Sequence, residues 1–156
     1  PAKAWEHGRF NAPYLRDSLL AGGALCETLE TATTWSNIPA LKAAVTGALA
    51  TALAETGTPA LVMCHISHVY PTGASLYFTV VAGQRGDVAE QWKKAKTAAS
   101  EAITATGGTI THHHAVGADH RPWMTDEVGE LGVQILRAVK QALDPAGIMN
   151  PGKLIP

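Results

Sequence analysis

The sequence has little net charge and few cysteines. Lys and Arg number 12 against 13 Asp and Glu, so the formal net charge is -1. Without a basic excess, no general attraction to nucleic acid is expected, and nucleic-acid binding is excluded as the main activity. The two cysteines, Cys26 and Cys64, lack the spacing of a metal or redox pair and are expected to be buried free thiols. Free thiols suit a reducing compartment, so we expect a cytoplasmic protein.

Long apolar runs and glycine-rich phosphate loops are also missing. No apolar run approaches the roughly 18 residues that span a bilayer, and no glycine-rich loop offers a cradle for a nucleotide phosphate. The chain begins at Pro1 rather than at Met and opens without a helix cap. With 46% hydrophobic residues over 156 positions, we expect one domain, residues 1–156, that is a fragment of a longer polypeptide.

Apolar periodicity predicts three long helices and one short helix. One lies between a Ser36-Asn37 cap and Gly57, and another opens with Asp87 and Glu90 in capping-box spacing. The third starts at Thr125, and its apolar positions are Val128, Leu131, Ile135, Val139 and Leu143. The short helix covers residues 13–21.

Four strands are predicted at residues 24–31, 60–69, 73–82 and 109–114, and a Pro-Thr-Gly turn joins the middle two. The order strand, helix, strand, strand, helix, strand is typical of a ferredoxin-like α+β fold. We therefore expect an antiparallel sheet with helices on one face, followed by the third long helix and a turning tail. The other face is free to meet a ligand or a partner domain.

Strand alternation predicts which side chains occupy that free face. Leu76, Phe78 and Val80 share the row that should pack on the helices, so Tyr77 points away from them. In the preceding strand the same alternation places His65 and Ser67 away from the helices. A polar cluster on the open face is expected, although a lone tyrosine at such a position is more often a packing residue.

Three adjacent histidines, His112, His113 and His114, end the predicted strand 109–114. Imidazoles titrate near neutral pH and both donate and accept protons, which suits acid-base chemistry. A purely structural role is equally compatible with the pattern. A metal site needs further ligands, for which only His65, His68 and His120 are available, and we expect no metal.

Two other segments carry candidate binding residues. Arg16 follows a Tyr-Leu pair in the short helix and is either a surface residue paired with an acid or, beside a pocket, an anchor for phosphate or carboxylate. The tail from Asp144 to Lys153 has two Pro- and Gly-containing breaks and is too short to pack as a helix. From these residues alone, we expect the tail to lie across the surface of the domain as a C-terminal segment.

These segments together resemble the C-terminal region of the FAD-linked oxidases of the vanillyl-alcohol oxidase type. The ending DPAGIMNPGK, residues 144–153, is typical of the whole family. Four further segments resemble its alkyldihydroxyacetonephosphate synthase branch: YLRD at 14–17, ETATTW at 30–35, GASLYF at 73–78 and GGTITHHHAVG at 107–117.

The resemblance implies roles for single residues. Arg16 is expected to bind substrate, Tyr77 to exchange a proton, and the histidine triplet to take part in catalysis. Asn150 and Lys153 are expected to lie against FAD.

The resemblance also implies partners and leaves the reaction open. An FAD-binding domain of the same polypeptide and a lipid phosphate substrate are expected, and a homodimer and peripheral membrane contact are compatible with it. Ether-lipid formation is the expected reaction. Oxidation of a 2-hydroxy acid by the same flavin is the alternative, and a metal- or ligand-binding module built on the histidines is the third.

Overall fold

The computed structural model describes residues 2–156, which form an α+β fold of five α-helices and three β-strands. Four of the helices lie where the sequence predicts them, whereas α1 occupies the opening segment for which no element was predicted. The helices are α1 Ala2–Gly8, α2 Ala12–Ala21, α3 Ile38–Glu55, α4 Val88–Ala105 and α5 Met124–Leu143. The strands are β1 Ala24–Thr34, β2 Ala60–Ser67 and β3 Gly73–Gly83.

The sheet is antiparallel in the order β1-β3-β2, and helices α3 and α4 cover one of its faces. Leu76, Phe78 and Val80 of the central strand are fully buried against these helices, as their alternation predicts. Apolar residues four apart on α3, from Leu41 to Leu53, complete this core. The α+β class and the helix-covered face are therefore confirmed.

The predicted fourth strand is wrong as a strand, although its position beside β1 is right. None of the described residues 109–114 has strand geometry. Two backbone hydrogen bonds still tie the segment to β1, from Thr109 N to Ala32 O at 3.0 Å and from His112 N to Glu30 O at 3.1 Å. His113 then adopts a left-handed φ of 45°, which ends any extended ladder because strand pairing needs a negative φ.

The caps of helices α4 and α3 are both predicted from the sequence. Asp87 caps α4 as predicted, because its carboxylate accepts hydrogen bonds from the backbone N–H groups of Ala89 and Glu90. Asn37 occupies the N-cap position of α3 as predicted, but its side chain makes no capping hydrogen bond, because its amide donates instead to Thr33 Oγ1 and to the Thr106 carbonyl. Asn37 thereby joins the start of α3 to the end of α4.

The last helix, α5, starts at Met124 and is interrupted at Gly129, whose φ of 72° is non-helical. Its predicted apolar stripe is present but exposed rather than buried. The exposed fractions run from 42% to 77% across Val128, Leu131, Ile135, Val139 and Leu143. An exposed apolar stripe of this length is typical of a surface that contacts another domain.

The sequence analysis expects no segment long and apolar enough to span a bilayer, and helix α3 departs from this expectation. The segment Trp35–Glu55 is long and apolar enough, by length and composition, to cross a membrane. Its buried stripe instead packs on the sheet as the central helix of the core.

Candidate active site

The segment before the histidines is fixed from both sides. On the β1 side, the Thr31 hydroxyl donates to the Thr109 carbonyl at 2.6 Å. On the α5 side, the Glu127 carboxylate accepts hydrogen bonds from the Thr109 hydroxyl and, at 2.9 Å, from the backbone N–H of Ile110. The side chain of Ile110 is buried. This double anchorage holds the start of the histidine triplet against the edge of the sheet.

A tight turn then folds the triplet back on itself. The backbone N–H of His114 donates to the His112 carbonyl at 2.7 Å. His113 and Ala115 both have left-handed backbones, with φ of 45° and 65°, which non-glycine residues adopt uncommonly. The turn replaces the alternating directions of a strand, so all three imidazoles reach one side.

The three imidazoles converge on the buried carboxylate of Glu30. His112 Nδ1 lies 3.1 Å from Oε1, while His114 Nε2 and His113 Nε2 lie 3.0 and 3.4 Å from Oε2. Only 1% of the Glu30 side chain is exposed. A carboxylate removed from water in this way needs hydrogen-bond donors, and the triplet supplies them.

Two residues from the β2–β3 connection complete the cluster. The hydroxyl of Tyr70 lies 3.0 Å from Nε2 of His112. His68 places its ring 5.1 Å from the His112 ring and its Nε2 4.0 Å from Glu30 Oε1. His68 has a left-handed φ of 45°, which ends β2 and turns the chain toward the triplet.

Tyr77 lies on the open face of the sheet, directly opposite Glu30 in the β1–β3 register and opposite His65 in the β2–β3 register. Its ring meets that of His114 edge-on, with centroids 5.9 Å apart. The structure therefore brings together four of the catalytic candidates, Tyr77 and the three histidines.

Arg16 is not in contact with this cluster. Its guanidinium donates to the Cys26 carbonyl and pairs with the Glu27 carboxylate at 2.5 Å. It borders a cleft of about 720 Å³ whose lining is mainly apolar and includes Leu25 and Trp92. The role of Arg16 in substrate binding stays a prediction.

A second cleft, of about 310 Å³, adjoins the first and is lined by Glu30, His114 and Lys153. The two clefts share Lys96 and Asp119 as a common wall. Lys96 donates to Asp119 at 2.9 Å and thereby lowers the pKa of that carboxyl. This ion pair stands between Arg16 and the histidine cluster.

His120 lies in the wall of the second cleft and does not join the cluster. Its Nδ1 lies 3.2 Å from the Val116 carbonyl. Burial lowers the pKa of His120, and the neighbouring Lys96 adds to the effect, so both favour the neutral form of the ring.

The tail that carries Asn150 and Lys153 is fixed by the buried carboxylate of Asp144. The backbone N–H groups of Ile148 and Met149 donate to it at 3.1 and 2.9 Å, and the Lys140 ammonium contacts it as well. Asn150 and Lys153 themselves are exposed. Lys153 therefore presents a cation at the second cleft.

The donor set of the cluster also has the spacing of a metal site. Ligand atoms of Glu30, His68, His112 and His113 all lie within 4.8 Å of one another. Of the additional ligands considered from the sequence, only His68 is in this group. His68, whose Nε2 is 4.0 Å from Glu30, makes no hydrogen bond there, whereas Glu30, His112 and His113 already hydrogen-bond one another as a network of carboxylate and imidazoles.

Comparison with known proteins shows where this arrangement belongs. The profile of the FAD linked oxidases, C-terminal domain, matches residues 2–154. The chain belongs to this family. The C-terminal domain of an FAD-linked oxidase is part of an enzyme that uses FAD together with an FAD-binding domain.

Individual relatives are more specific. The chain is 36% identical over its whole length to an alkyldihydroxyacetonephosphate synthase of Trypanosoma brucei brucei and 35% identical to that of Dictyostelium discoideum. It spans only 26% of the length of either relative. A solved structure of an alkyldihydroxyacetonephosphate synthase superposes with a TM-score of 0.66 and 27% identity, covering 96% of this chain and 24% of that one.

Sequence reasoning missed Glu30 and Tyr70 as site residues of this FAD-linked oxidase domain. Strand alternation applied to β1 would have placed Glu30 on the open face, because it lies opposite Tyr77. Tyr70 has no comparable signal, since its contact with His112 depends on the turn at His68.

Proposed function

We propose that the intact protein is an alkyldihydroxyacetonephosphate synthase, which replaces the acyloxy group of an acyl dihydroxyacetone phosphate by the alkoxy group of a fatty alcohol. The ester C–O bond at the sugar carbon breaks, the fatty acid leaves, and the alcohol oxygen forms the new ether bond. The observation that carries the proposal is the grouping of Tyr77 with three imidazoles around one buried carboxylate. This grouping lies in a chain that matches two such synthases over its whole length.

Tyr77 is proposed to exchange the proton at the reacting carbon. A phenol both donates and accepts protons, and this one lies on the open face next to His114 rather than in the core. The exposed parts of the imidazoles are proposed to polarise the substrate and to hold its phosphate. His113 is the most exposed of the three, with about half of its side chain accessible.

Arg16 is proposed to bind the substrate anion, which requires its side chain to leave Glu27. The pair is substantially exposed, at 46% for Arg16 and 29% for Glu27. Ion pairs exposed to water contribute only about 0–1 kcal/mol, so an anionic group of the substrate can replace Glu27 at little cost. The apolar cleft beside Arg16 is suited to a hydrocarbon chain of the substrate.

FAD fits the chemistry of the second cleft, where the exposed Lys153 and the half-buried Lys96, which pairs with Asp119, offer cations for the flavin carbonyl oxygens. Asn150 and Lys153 are the residues of the tail proposed to hold it. When bound, the flavin supplies the electronic activation that breaks the ester bond. This sequence contains no glycine-rich loop for the pyrophosphate of FAD, so the pyrophosphate is proposed to bind to the FAD-binding domain.

The exposed stripe of α5 is proposed to contact that FAD-binding domain, because apolar residues exposed by 42% or more are otherwise unfavourable in water. A homodimer and peripheral contact with a membrane, from which a fatty alcohol is drawn, are further proposals for the intact enzyme. The two free cysteines support our placing it in the cytoplasm.

The test is product analysis with the full-length enzyme. Purified holoenzyme is mixed with an acyl dihydroxyacetone phosphate and a deuterated fatty alcohol, and the lipids are analysed by mass spectrometry. We expect a deuterated ether lipid and one equivalent of free fatty acid. A keto acid formed from a 2-hydroxy acid, with reduction of an added acceptor and no ether product, would instead establish the dehydrogenase alternative. Stoichiometric zinc or copper by elemental analysis, without flavin-dependent turnover, would establish the metal-binding alternative.

A further inference from the structure

Glu30 contacts two imidazoles through different ring nitrogens. His112 faces Oε1 with Nδ1 at 3.1 Å, whereas His114 faces Oε2 with Nε2 at 3.0 Å. An ionised carboxylate accepts hydrogen bonds and donates none, so the ring nitrogen that faces it has to carry the proton. In a neutral imidazole the other nitrogen is then the acceptor.

We propose that Glu30 is a positioning residue that fixes His112 as the Nδ1–H tautomer and His114 as the Nε2–H tautomer. The two rings then present opposite free nitrogens. His112 keeps Nε2 as an acceptor for the hydroxyl of Tyr70, 3.0 Å away. His114, whose ring lies against Tyr77, keeps Nδ1 as its acceptor.

The contacts of His113 agree with this assignment. Its Nδ1 lies 3.1 Å from Nδ1 of His112, so one of the two nitrogens donates and the other accepts. If His112 carries the proton there, His113 carries its own on Nε2, which faces Glu30 Oε2 at 3.4 Å. In this assignment the single Nδ1–H of His112 is shared between Glu30 Oε1 and His113 Nδ1, while the Nε2–H groups of His113 and His114 face Glu30 Oε2.

The opposite assignment leaves a conflict at the buried carboxylate. With its proton on Nε2, His112 would point a lone pair at Glu30 Oε1 across 3.1 Å. Two acceptors at hydrogen-bond distance repel each other, and water cannot relieve the repulsion because the Glu30 side chain is only 1% exposed. His68 offers no substitute donor, because its Nε2 is 4.0 Å away.

The tautomers follow from the geometry alone, whereas their catalytic consequence rests on the proposed function. His114 in the Nε2–H form has an unprotonated Nδ1 with which to act on a proton near Tyr77. A neutral side chain in place of Glu30 would leave each ring free to adopt either form. Turnover should then fall, while the KM for substrate should change little.

The deciding experiment is nitrogen NMR of this chain with ¹⁵N-labelled histidine, in EDTA and at about pH 9, where an ordinary imidazole with a pKa of about 6.5 is neutral. Two-bond correlations between ring nitrogens and carbon-bound protons distinguish the tautomers. We expect the Nδ1–H pattern for His112 and the Nε2–H pattern for His114. The Glu30→Gln amide has one accepting oxygen instead of two, so either the Nε2–H form of His112 or the Nδ1–H form of His114 should become populated, whereas the control Glu27→Gln on the same strand should match the unsubstituted chain.

An Nε2–H pattern for His112 in the unsubstituted chain, or unchanged patterns for both His112 and His114 in Glu30→Gln, would overturn the proposal. Tyr70→Phe is the second variant, because Tyr70 is exposed and its loss should not affect folding. His112 should keep its Nδ1–H form there, and a change would assign the tautomer to Tyr70 instead. Since these spectra need neither substrate nor flavin, their result is independent of whether the full-length enzyme makes an ether lipid.

In the full-length enzyme, kcat and KM separate positioning from simple structural damage. We expect Glu30→Gln to lower kcat at least tenfold with KM within about twofold, and Glu101→Gln, an exposed carboxylate on α4, to change neither. Unchanged kcat in a folded Glu30→Gln enzyme that shows an altered tautomer of His114 would remove the catalytic consequence.

Discussion

Glu30 and Tyr77 lie directly opposite each other on β1 and β3, on the face of the sheet away from α3 and α4. Glu30 is almost completely covered by the histidine triplet, while Tyr77 is half-buried beside His114. Glu30 therefore holds the imidazole cluster together, whereas Tyr77 remains accessible to a substrate.

Tyr77→Phe in the full-length enzyme should lower turnover by roughly two or more orders of magnitude, the usual scale for loss of a general acid or base. Steady-state ether formation measures the effect. Tyr14→Phe removes the same hydroxyl from an exposed tyrosine of α2 and is the matched control. A folded Tyr77→Phe enzyme with undiminished turnover would exclude Tyr77 from the mechanism.

Arg16→Ala should raise the KM for the phosphate substrate on the order of 10- to 100-fold, because a charge-assisted hydrogen bond contributes about 1.5–3 kcal/mol. Initial rates over a range of substrate concentrations measure it. Arg9→Ala, an exposed arginine stacked on Trp5, is the control and should leave KM unchanged. If Arg16→Ala has an ordinary KM, Arg16 only pairs with Glu27.

The two phenylalanines of the sequence provide a matched test of the core. Phe78 is fully buried, whereas 70% of Phe10 is exposed. Phe78→Ala should lower the free energy of unfolding by about 3–5 kcal/mol because it leaves a cavity between the sheet and α3. Phe10→Ala should change it by less than about 0.5 kcal/mol. Urea denaturation followed by circular dichroism compares the two, and equal losses would contradict the described core.

Asp144 should make the tail sensitive to acid. The Lys140 ammonium and the backbone N–H of Met149 hold the pKa of the Asp144 carboxyl below its ordinary value. A carboxyl with a lowered folded pKa stabilises the fold fully above the unfolded value of about 3.9, and this contribution is lost as the pH falls below it. The difference in unfolding free energy between the unsubstituted chain and Asp144→Asn should therefore be constant above about pH 5 and shrink towards pH 3.

Urea titrations at a series of pH values measure this difference. Glu101→Gln removes an exposed carboxylate of α4 and should give a difference near zero throughout. A difference for Asp144→Asn that grows as the pH falls would have the wrong sign and would reject the assigned role of Asp144.

The sequence predicted those parts of the fold that depend on local periodicity. The core rows of β3 and α3 and the Asp87 cap follow from spacing alone, and all are confirmed. The placement of Tyr77 on the open face likewise needed only the period of two. The apolar spacing and the cap residue depend only on residues close together in the sequence, so they can be recognised without knowing which strands pair.

The remaining features depend on contacts between distant segments. The histidine triplet has strand-like neighbours, but the left-handed backbone at His113 and Ala115 replaces a strand by a turn. No local pattern predicts that turn, because non-glycine residues as a group adopt a left-handed backbone uncommonly. The burial of Glu30 could not be predicted for the same reason, since the residues that cover it lie far away along the chain.

The separation between Glu30 and His112 along the chain is 82 residues. Closing so long a loop costs entropy before any contact between its ends repays it, so such contacts tend to form late. The imidazole cluster should therefore assemble only after β1, β3 and the end of α4 are in place. Formation of the cluster during refolding would therefore mark the completion of the domain. A substitution that loosens the pairing of β1 with β3 should abolish activity before it unfolds the protein.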